Sequence, residues 1–406
     1  MTVLAPVRGC ESLQREAILV NKYDLIFFIV FVLFFFSENR MDLPFLDNAF
    51  TVIEHYKLKY VVSLIGCAYF MLSLEPGERL FREEFSLYLK MILFVIGLSL
   101  ISIITGRYRG DLINEGMYFS VPLFFSYSAI NAKKGATDSL LNIAFWMTAA
   151  GFFFKFRHVF SPSSLSSISF AESYSPFEGE LAFQSVLFVI LYAWKRDRLK
   201  YLLSLVICLL SFKRLSILAA LIFSLSMNRL RGGEKPKAGI RTFILAAFLL
   251  FPVGIHILLS DSFSELFSAA TGLDLDSFVM SRSLFMRTVL EEYPFFGGLG
   301  SVRSFLSEYM RGYYHTNVSI YDLHCDIMRF YLECSLIGLF SLLYAYIKRA
   351  RSKIALAFVT YIFFESCVNH MFGAGRTMYW IIAYLMIFEF NRGVPYEDID
   401  TAHSSR

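Results

Sequence analysis

Charged residues are scarce in this chain, and their scarcity excludes most classes of soluble protein. Only 18% of the 406 residues are Asp, Glu, Lys or Arg, whereas 56% are hydrophobic and 45 are Phe. A soluble core of this length cannot hide so much apolar surface. Apolar stretches recur along nearly the whole chain, so no sizeable soluble domain is expected. We therefore predict a single integral membrane domain that covers residues 1–406.

Patterns that would indicate a metal, a redox centre or nucleic acid are also missing. The six cysteines are scattered mostly inside apolar segments and have no metal-ligand spacing. Asp274 and Asp276 form the nearest match to a cation-binding pair of carboxylates, and a solvated turn explains them equally well. The net charge of +4 is small for a nucleic-acid-binding protein of this size. We expect no metal, no cofactor and no nucleic-acid partner.

The first apolar run, residues 23–36, is followed by SENRMD, which offers no small-residue cleavage site. We expect an uncleaved first helix. Twelve apolar windows lie between residues 23 and 390, which predicts an all-α integral membrane protein with about twelve transmembrane helices. Basic connections favour the cytoplasm and here lie at 131–135, 195–200, 228–237 and 348–353. Both termini are then cytoplasmic, and a large external loop, 261–322, separates helices 9 and 10.

The segment CLLSFKRLSIL, residues 208–218, sets two cations between apolar runs. A single helix over 201–227 would put two basic loops on opposite sides of the membrane, so we predict a hairpin that turns at SFKR. Each arm would be about 20 Å long against a hydrocarbon core of about 30 Å. Lys213 and Arg214 would then lie at membrane depth, where charges persist if they face a wet cavity or an anionic partner.

Arginine dominates the predicted external positions, although the topological bias disfavours cations there. Arginine offers planar, permanently charged donors to phosphate oxygens, so we predict an outward-facing phosphate or pyrophosphate site. The alternative is that each cation pairs with a nearby acid, such as Asp111, Glu291, Asp326 or Glu333, or with lipid headgroups. The candidate substrate-binding or catalytic cations are Arg109, Lys213, Arg214, Arg282, Arg287 and Arg329.

The stretch RGYYHTNVSIYDLH, residues 311–324, adds aromatic and histidine side chains. Tyr314 and His315 are candidates for contacts with sugar rings, although tyrosines of this kind also form membrane-interface belts. His324 lies at the mouth of the next predicted span. An imidazole there could act as a general base, or it could be purely structural.

Two segments resemble a known family. MRTVLEEYPFFGGLGSVRSFL (286–306) and LHCDIMRFYLECSLIGLF (323–340) resemble the oligosaccharide repeat-unit polymerases and O-antigen ligases of bacterial surface polysaccharide assembly. In those families an Arg precedes a Gly-rich turn, and a His opens a helix that runs toward small residues. The Arg287-to-Gly298 spacing and the SFKR turn are also similar to the family pattern.

The resemblance implies an enzyme that transfers a growing glycan from undecaprenyl pyrophosphate to a second lipid-linked repeat unit on the periplasmic face of the inner membrane. The product would be an O-antigen, a capsule or an exopolysaccharide. Arg214 and Arg287 would stabilise the pyrophosphate leaving group, with Arg109 and Arg282 in support, and His324 would be the base. Partners would be the lipid-linked glycan, the bilayer, a repeat-unit flippase and a chain-length regulator.

Two alternatives remain. An O-antigen ligase would pass the same donor to lipid A core, but Cys325 stands where ligases often have Asn, and Cys334–Ser335 stands where glycine is common. A polytopic transporter or flippase would also have about twelve spans, but this chain shows no two-halves repeat and no long central cytoplasmic loop.

Overall fold

The structure is a computed structural model, and regular structure within the residues it describes is α-helical. This confirms the predicted all-α class. The described residues are 25–35, 58–72, 80–132, 136–169, 175–179, 181–211, 214–230, 234–272, 282–293, 295–314, 322–373, 376–392 and 394.

The helices are numbered here in chain order. The first eight are α1 (Leu25–Phe35), α2 (Leu58–Leu72), α3 (Arg82–Ile104), α4 (Leu112–Ala132), α5 (Ala136–Lys155), α6 (Pro162–Ser166), α7 (Leu181–Lys195) and α8 (Arg198–Ser211). The others are α9 (Arg214–Leu230), α10 (Ala238–Leu258), α11 (Asp261–Thr271), α12 (Arg282–Glu292), α13 (Ser301–Tyr314), α14 (Asp326–Arg349), α15 (Lys353–Val368) and α16 (Thr377–Asn391).

Among the described residues, three helices are long and apolar enough to cross a membrane, namely α3, α10 and α14. Shorter apolar helices include α1 and α7. Large apolar side chains of α10 are exposed, for example Phe243 at 74% and Leu250 at 64%. Apolar surface on this scale is typical of a lipid-facing helix. The apolar helices indicate a membrane protein, and the count of twelve spans stays a prediction.

The predicted hairpin between residues 201 and 227 is confirmed as two antiparallel helices. α8 ends at Ser211 and α9 begins at Arg214. The hydroxyl of Tyr201 donates to Oγ of Ser224 over 2.9 Å, and these two residues are almost equally far from the break. Side chains at matching distances from a turn meet only if the two arms run side by side in opposite directions.

The chain divides into two compact units. Unit 1 comprises Met1–Arg82, Val121–Leu225 and Thr377–Glu389, and its core is aromatic and aliphatic. Phe27 stacks on Phe31 and on Phe125, with ring centroids 5.5 and 5.6 Å apart. Every residue of α7 from Leu181 to Tyr192 is buried. The apolar pattern of the sequence therefore becomes a continuous packed core here.

Unit 2 comprises Glu83–Ser120, Ser226–Arg376 and Phe390–Arg406. In it α10 packs against α14, and α14 packs against α15. A second apolar core joins α12 and α13 to the first half of α14, through Val289, Val302, Leu306, Met328 and Leu332. Two of the three described helices of the predicted external loop are thereby fixed to a helix that is long enough to span a membrane.

Candidate functional site

The central feature of unit 2 is a break inside α14. Ser335 has φ 63° and ψ 178°, a backbone conformation that is essentially restricted to glycine. The residues before the break, from Asp326 to Cys334, are buried except for the partly exposed Tyr331. Irregular backbone at membrane depth is tolerated only where protein covers it or where it lines a cavity. The break and the buried residues before it therefore make this part of α14 a candidate functional element.

The glycine-rich loop 295–300 supplies hydrogen-bond donors to this break. Phe296 N donates to the carbonyl of Leu332 over 2.8 Å, and Gly298 N donates to the carbonyl of Glu333 over 2.9 Å. The side chain of Glu333 accepts from Val302 N over 3.0 Å, at the N-terminus of α13. The two segments that carry the family resemblance thus bind each other directly.

The same loop is also bound to α3 and to the connection that follows it. Leu299 N donates to Oγ of Ser99 over 3.0 Å, and the hydroxyl of Tyr108 donates to the carbonyl of Leu299 over 3.1 Å. Gly300 has φ +79°, and a Cβ there would lie 2.7 Å from Cγ of Glu115. The sequence Gly-Leu-Gly is therefore required by backbone geometry and by close packing.

A cluster of buried charges surrounds the loop and the first half of α14. Arg329, which is 1% exposed, lies 3.2 Å from Asp326, 3.8 Å from Glu115 and 4.0 Å from Glu333. Nη1 of Arg303 lies 3.0 Å from Glu115. Together with Asp322 and His370, these seven residues form what we call the charge cluster. Ionisable groups buried in an apolar chain indicate a functional site by default.

Two members of the charge cluster hold the segment that follows α15. The carboxylate of Asp326 accepts hydrogen bonds from Met371 N and from Phe372 N, the latter over 2.6 Å. Arg329 donates to the carbonyl of Phe372. The buried ion pair therefore positions the backbone on either side of Met371, and with it the adjacent residue His370.

His370 faces an acid on one ring nitrogen only. Its Nδ1 lies 3.4 Å from Oδ2 of Asp322, whose Oδ1 accepts from Nε of Arg303. Nε2 of His370 is buried and has no hydrogen-bond partner among the described residues, and the same is true of Nη2 of Arg303. Both atoms approach Gly373, because a Cβ there would lie 2.6 Å from Nη2 and 3.1 Å from Nε2.

Burial and neighbouring charges shift the pKa values of the cluster members outside the helical spans. Burial lowers the pKa of His370 to about 4, and Arg329, Arg303 and His324 act in the same direction, whereas Asp322 opposes them. Burial raises the pKa of Asp322, but His370 in its protonated form and Arg303 outweigh it, and the result lies below the ordinary value. His370 is therefore neutral near pH 7, and Asp322 is ionised.

Of the three predicted catalytic residues, His324 and Arg287 belong to unit 2. His324 is exposed just before α14, and its ring centroid is 6.4 Å from that of His370. Arg287 lies on α12 with its side chain 32% exposed, 3.8 Å from a carboxylate oxygen of the exposed Asp261. Arg214 begins α9 in unit 1, and its side chain lies outside the described residues, so its convergence with the other two stays a prediction.

The predicted substrate-binding residues have different surroundings. Arg329 is buried among carboxylates, which matches the alternative that it pairs with local acids. Arg109 is 62% exposed and lies 3.8 Å from Glu308. A cavity of about 350 Å³ at this place is lined by Arg109, Glu308, Phe305, Tyr309 and Gly312. The described residues do not include Lys213 or His315. For Arg282 and Tyr314 the structure describes the backbone but not the side chain.

Comparison of the chain with protein-family models, with curated proteins and with solved structures finds no match.

Sequence reasoning missed His370, Glu115 and Asp322 as members of a common site. His370 ends the predicted span 354–370 and precedes a Gly-Ala-Gly stretch, as His324 begins the span before it. Histidines at the facing ends of consecutive spans were the available signal. Glu115 gave none, because a single acid at the start of an apolar run also serves as an ordinary helix-terminal residue.

Proposed function

We propose that this protein is a membrane glycosyltransferase that polymerises undecaprenyl-pyrophosphate-linked repeat units into a surface polysaccharide. One observation carries the proposal. The two segments that resemble the repeat-unit polymerases, 286–306 and 323–340, pack against each other around the broken helix α14 and the charge cluster. Two separate chance similarities would have no reason to meet at one set of buried charges.

The proposed topology has about twelve spans, cytoplasmic termini and an outward-facing site built on the loop 261–322. It is supported by the two ends of α14. At its C-terminal end the basic segment 348–353 pairs with acids at the start of α3, for example Arg349 with Glu83 at 3.0 Å. The charge cluster lies at the opposite end, roughly 30 Å away along 20 helical residues. If the basic segment is cytoplasmic, the cluster is external.

In this proposal the diphosphate of the donor binds arginines that are not already neutralised inside the charge cluster. Arg287 is suitable, because its only described ion-pair partner, Asp261, is 92% exposed and 3.8 Å away. An ion pair so exposed to solvent is weak. Arg214, Lys213, Arg282 and Arg109 complete the proposed set. Arg329 is assigned a positioning role, since its guanidinium is enclosed by three carboxylates.

The cavity on α13 is a candidate for binding the sugar. The rings of Phe305 and Tyr309 are stacked with centroids 6.0 Å apart, and Arg109 and Glu308 stand beside them. Aromatic faces with a few polar groups at their edge suit the apolar face and the hydroxyls of a sugar ring. The cavity volume of about 350 Å³ is sufficient for a small saccharide.

The proposal is tested by deleting the gene and analysing the surface glycan by gel electrophoresis. Lipid A core that carries one repeat unit is expected after loss of a polymerase. Accumulation of unlinked polymer would instead identify a ligase, and lipid-linked repeat units confined to the cytoplasmic leaflet would identify a flippase. Either of these results contradicts the proposal.

Complementation with variants then tests the residues. Arg287→Ala should raise the barrier by about 2.7 to 4 kcal/mol if Arg287 stabilises the leaving group, which would abolish long chains. Arg157→Ala is the matched control, because Arg157 is an exposed arginine of unit 1. Normal chain lengths from Arg287→Ala and Arg214→Ala, at normal protein levels, would remove both residues from the site.

A further inference from the structure

We infer that His370, held by Asp322, is the group that takes the proton from the acceptor hydroxyl, and that Arg303 faces the same oxygen. This inference rests on the proposed function, and it moves the role of base from His324 to a residue that lies 46 positions further along the chain. The observation behind it is the arrangement of Asp322, His370 and Arg303 around Gly373.

The imidazole of His370 has one nitrogen bound and one unbound among the described residues, as a general base requires. A general base needs one nitrogen fixed by an acceptor and the other nitrogen available to the substrate. In His370 the carboxylate of Asp322 faces Nδ1 at 3.4 Å, which favours the tautomer with the proton on Nδ1 and the lone pair on Nε2. Nε2 is a buried atom with no partner in the described structure. Buried polar atoms without partners are uncommon, and each one needs an explanation.

The guanidinium of Arg303 is fixed beside this imidazole. Its Nε and Nη1 are bound by Asp322 and Glu115, which fix the plane of the guanidinium. Nη2, its other terminal nitrogen, is buried and has no partner in the part of the chain that the structure describes. It points to the same place as Nε2 of His370, because both atoms lie within about 3 Å of the position that a Cβ of Gly373 would occupy. Glycine at this position avoids the clash that a Cβ would make with both atoms.

The position of His370 is also rigid. A base needs this, because it must be held within hydrogen-bond reach of the proton that it abstracts. Backbone bonds fix the residue: the His370 carbonyl accepts from Nε of Arg376 over 3.1 Å, and the next two amides donate to Asp326. His324, in contrast, is exposed and precedes the ordered start of α14. His370 is therefore the better-positioned of the two imidazoles.

The chemical step balances as follows. The acceptor sugar O–H bond breaks and its proton moves to Nε2 of His370. The oxygen forms a bond to the anomeric carbon of the donor, and the bond from that carbon to the diphosphate oxygen breaks. The electron pair leaves on the diphosphate, whose charge is balanced by the proposed arginines. The proton on His370 then returns to solvent, and no oxidant, reductant or metal is consumed.

The test uses membranes from a host that lacks the gene, accumulates lipid-linked single repeat units and expresses the full-length variant. Conversion of these endogenous units into longer chains is followed on gels. His370→Ala and His370→Gln should slow conversion by roughly 10²- to 10⁴-fold, the usual contribution of a general base. Added imidazole should restore part of the rate in His370→Ala, where space has been created. It should not do so in His370→Gln, where the amide fills the space.

His256→Ala is the matched control, because His256 is an exposed histidine of α10 outside the charge cluster and should leave the rate unchanged. His324→Ala compares the two imidazoles and should slow conversion far less than His370→Ala. Asp322→Asn, which favours the wrong tautomer, should also slow conversion. Protein level and melting temperature are measured for each variant, and if His370→Ala is depleted, the loss of rate in His370→Gln decides.

Three outcomes separate the two proposals. Wild-type rates from His370→Gln overturn the inference, and so does a loss in well-folded His370→Ala that imidazole does not relieve. Failure of the wild-type protein itself to lengthen glycans overturns the proposed function instead. Binding of undecaprenyl pyrophosphate, measured by a shift in melting temperature, should persist in His370→Gln, because the diphosphate is assigned to other residues.

Discussion

Helices α7 and α14 are both largely buried, yet they bury opposite kinds of side chain. From Leu181 to Tyr192, α7 buries twelve consecutive residues without a charge. Its most polar member, Gln184, accepts a hydrogen bond from Thr148 over 3.1 Å. In the first nine residues of α14 three charged side chains are buried, and its backbone breaks at Ser335.

Close packing alone explains the side chains that α7 buries, whereas α14 buries charges that packing does not require. A regular apolar helix satisfies its own backbone and needs only close packing. The charges of α14 lose their hydration and are compensated by one another, by Glu115 and by backbone groups of neighbouring segments. We expect the two helices to respond differently to substitution, and the following variants test that difference in order of expected effect.

The largest effect is expected from Arg329→Met. Removing this guanidinium leaves Asp326, Glu333 and Glu115 without their central cation, and breaking a buried ion pair in this way costs about 3 to 5 kcal/mol. Thermal denaturation of the detergent-purified protein measures the loss. Arg157→Met, at an exposed arginine, is the control and should change stability by less than about 0.5 kcal/mol. Equal melting temperatures for both variants would show that the cluster contributes no stability.

In unit 1 the sensitive property should be close packing. A Cβ on Gly151 of α5 would lie 1.6 Å from Cζ of Phe35, so Gly151→Ala should cost about 1 to 3 kcal/mol through overpacking. Gly97→Ala is the matched control. Gly97 has no atom within 4 Å of its Cβ position, and there alanine should stabilise the helix slightly. If both variants behave alike, α1 and α5 do not approach so closely.

Ser335→Gly should act in the opposite direction and stabilise the protein. Serine at φ 63° and ψ 178° carries backbone strain that glycine avoids, of the order of 1 to 3 kcal/mol, less the entropy that glycine loses on folding. An increase of a few degrees in melting temperature is expected. The control Ser99→Gly, in a regular helix and with a bound hydroxyl, should be destabilised. A lower melting temperature for Ser335→Gly would argue against the break.

A separate prediction concerns the pH dependence of stability. The pKa of His370 falls from about 6.5 in the unfolded chain to about 4 in the folded protein. A lowered folded-state pKa contributes stability that is present above pH 6.5 and is lost as the pH falls toward 4, because the unfolded chain binds the proton first. Melting temperatures measured across this interval should decline less steeply for His370→Gln than for the wild type. Parallel curves would contradict a buried neutral imidazole.

The fold could be predicted from the sequence where a local pattern decides it. The apolar runs predicted helices, and the requirement that basic loops share one side predicted the break between Ser211 and Arg214. The break at Ser335 could not be predicted, since serine is not a residue that favours such a backbone. It depends on the loop 295–300, which is distant in sequence and binds the carbonyls before the break.

The sequence indicated the region of the candidate site better than its members. The motif segments lie in unit 2 beside the charge cluster, as do Arg109, Arg287 and His324, and their joint role stays a prediction. Arg329 was expected to bind substrate and is instead buried among acids, because three carboxylates from α4 and α14 converge on it. Single-sequence reasoning could not pair Glu115, Asp322 and His370, since their contacts join residues as distant in sequence as Glu115 and Arg329, which are 214 positions apart.

The bond between the glycine loop and the break in α14 has a consequence for how the protein is made. The loop precedes α14 in the chain, so the ribosome delivers the amides of Phe296 and Gly298 before the carbonyls of Leu332 and Glu333 exist. If α14 spans the bilayer, the groups that bind its two carbonyls have already been synthesised when it inserts. A circular permutant that reverses this order would then have to insert the broken helix with those carbonyls unbound.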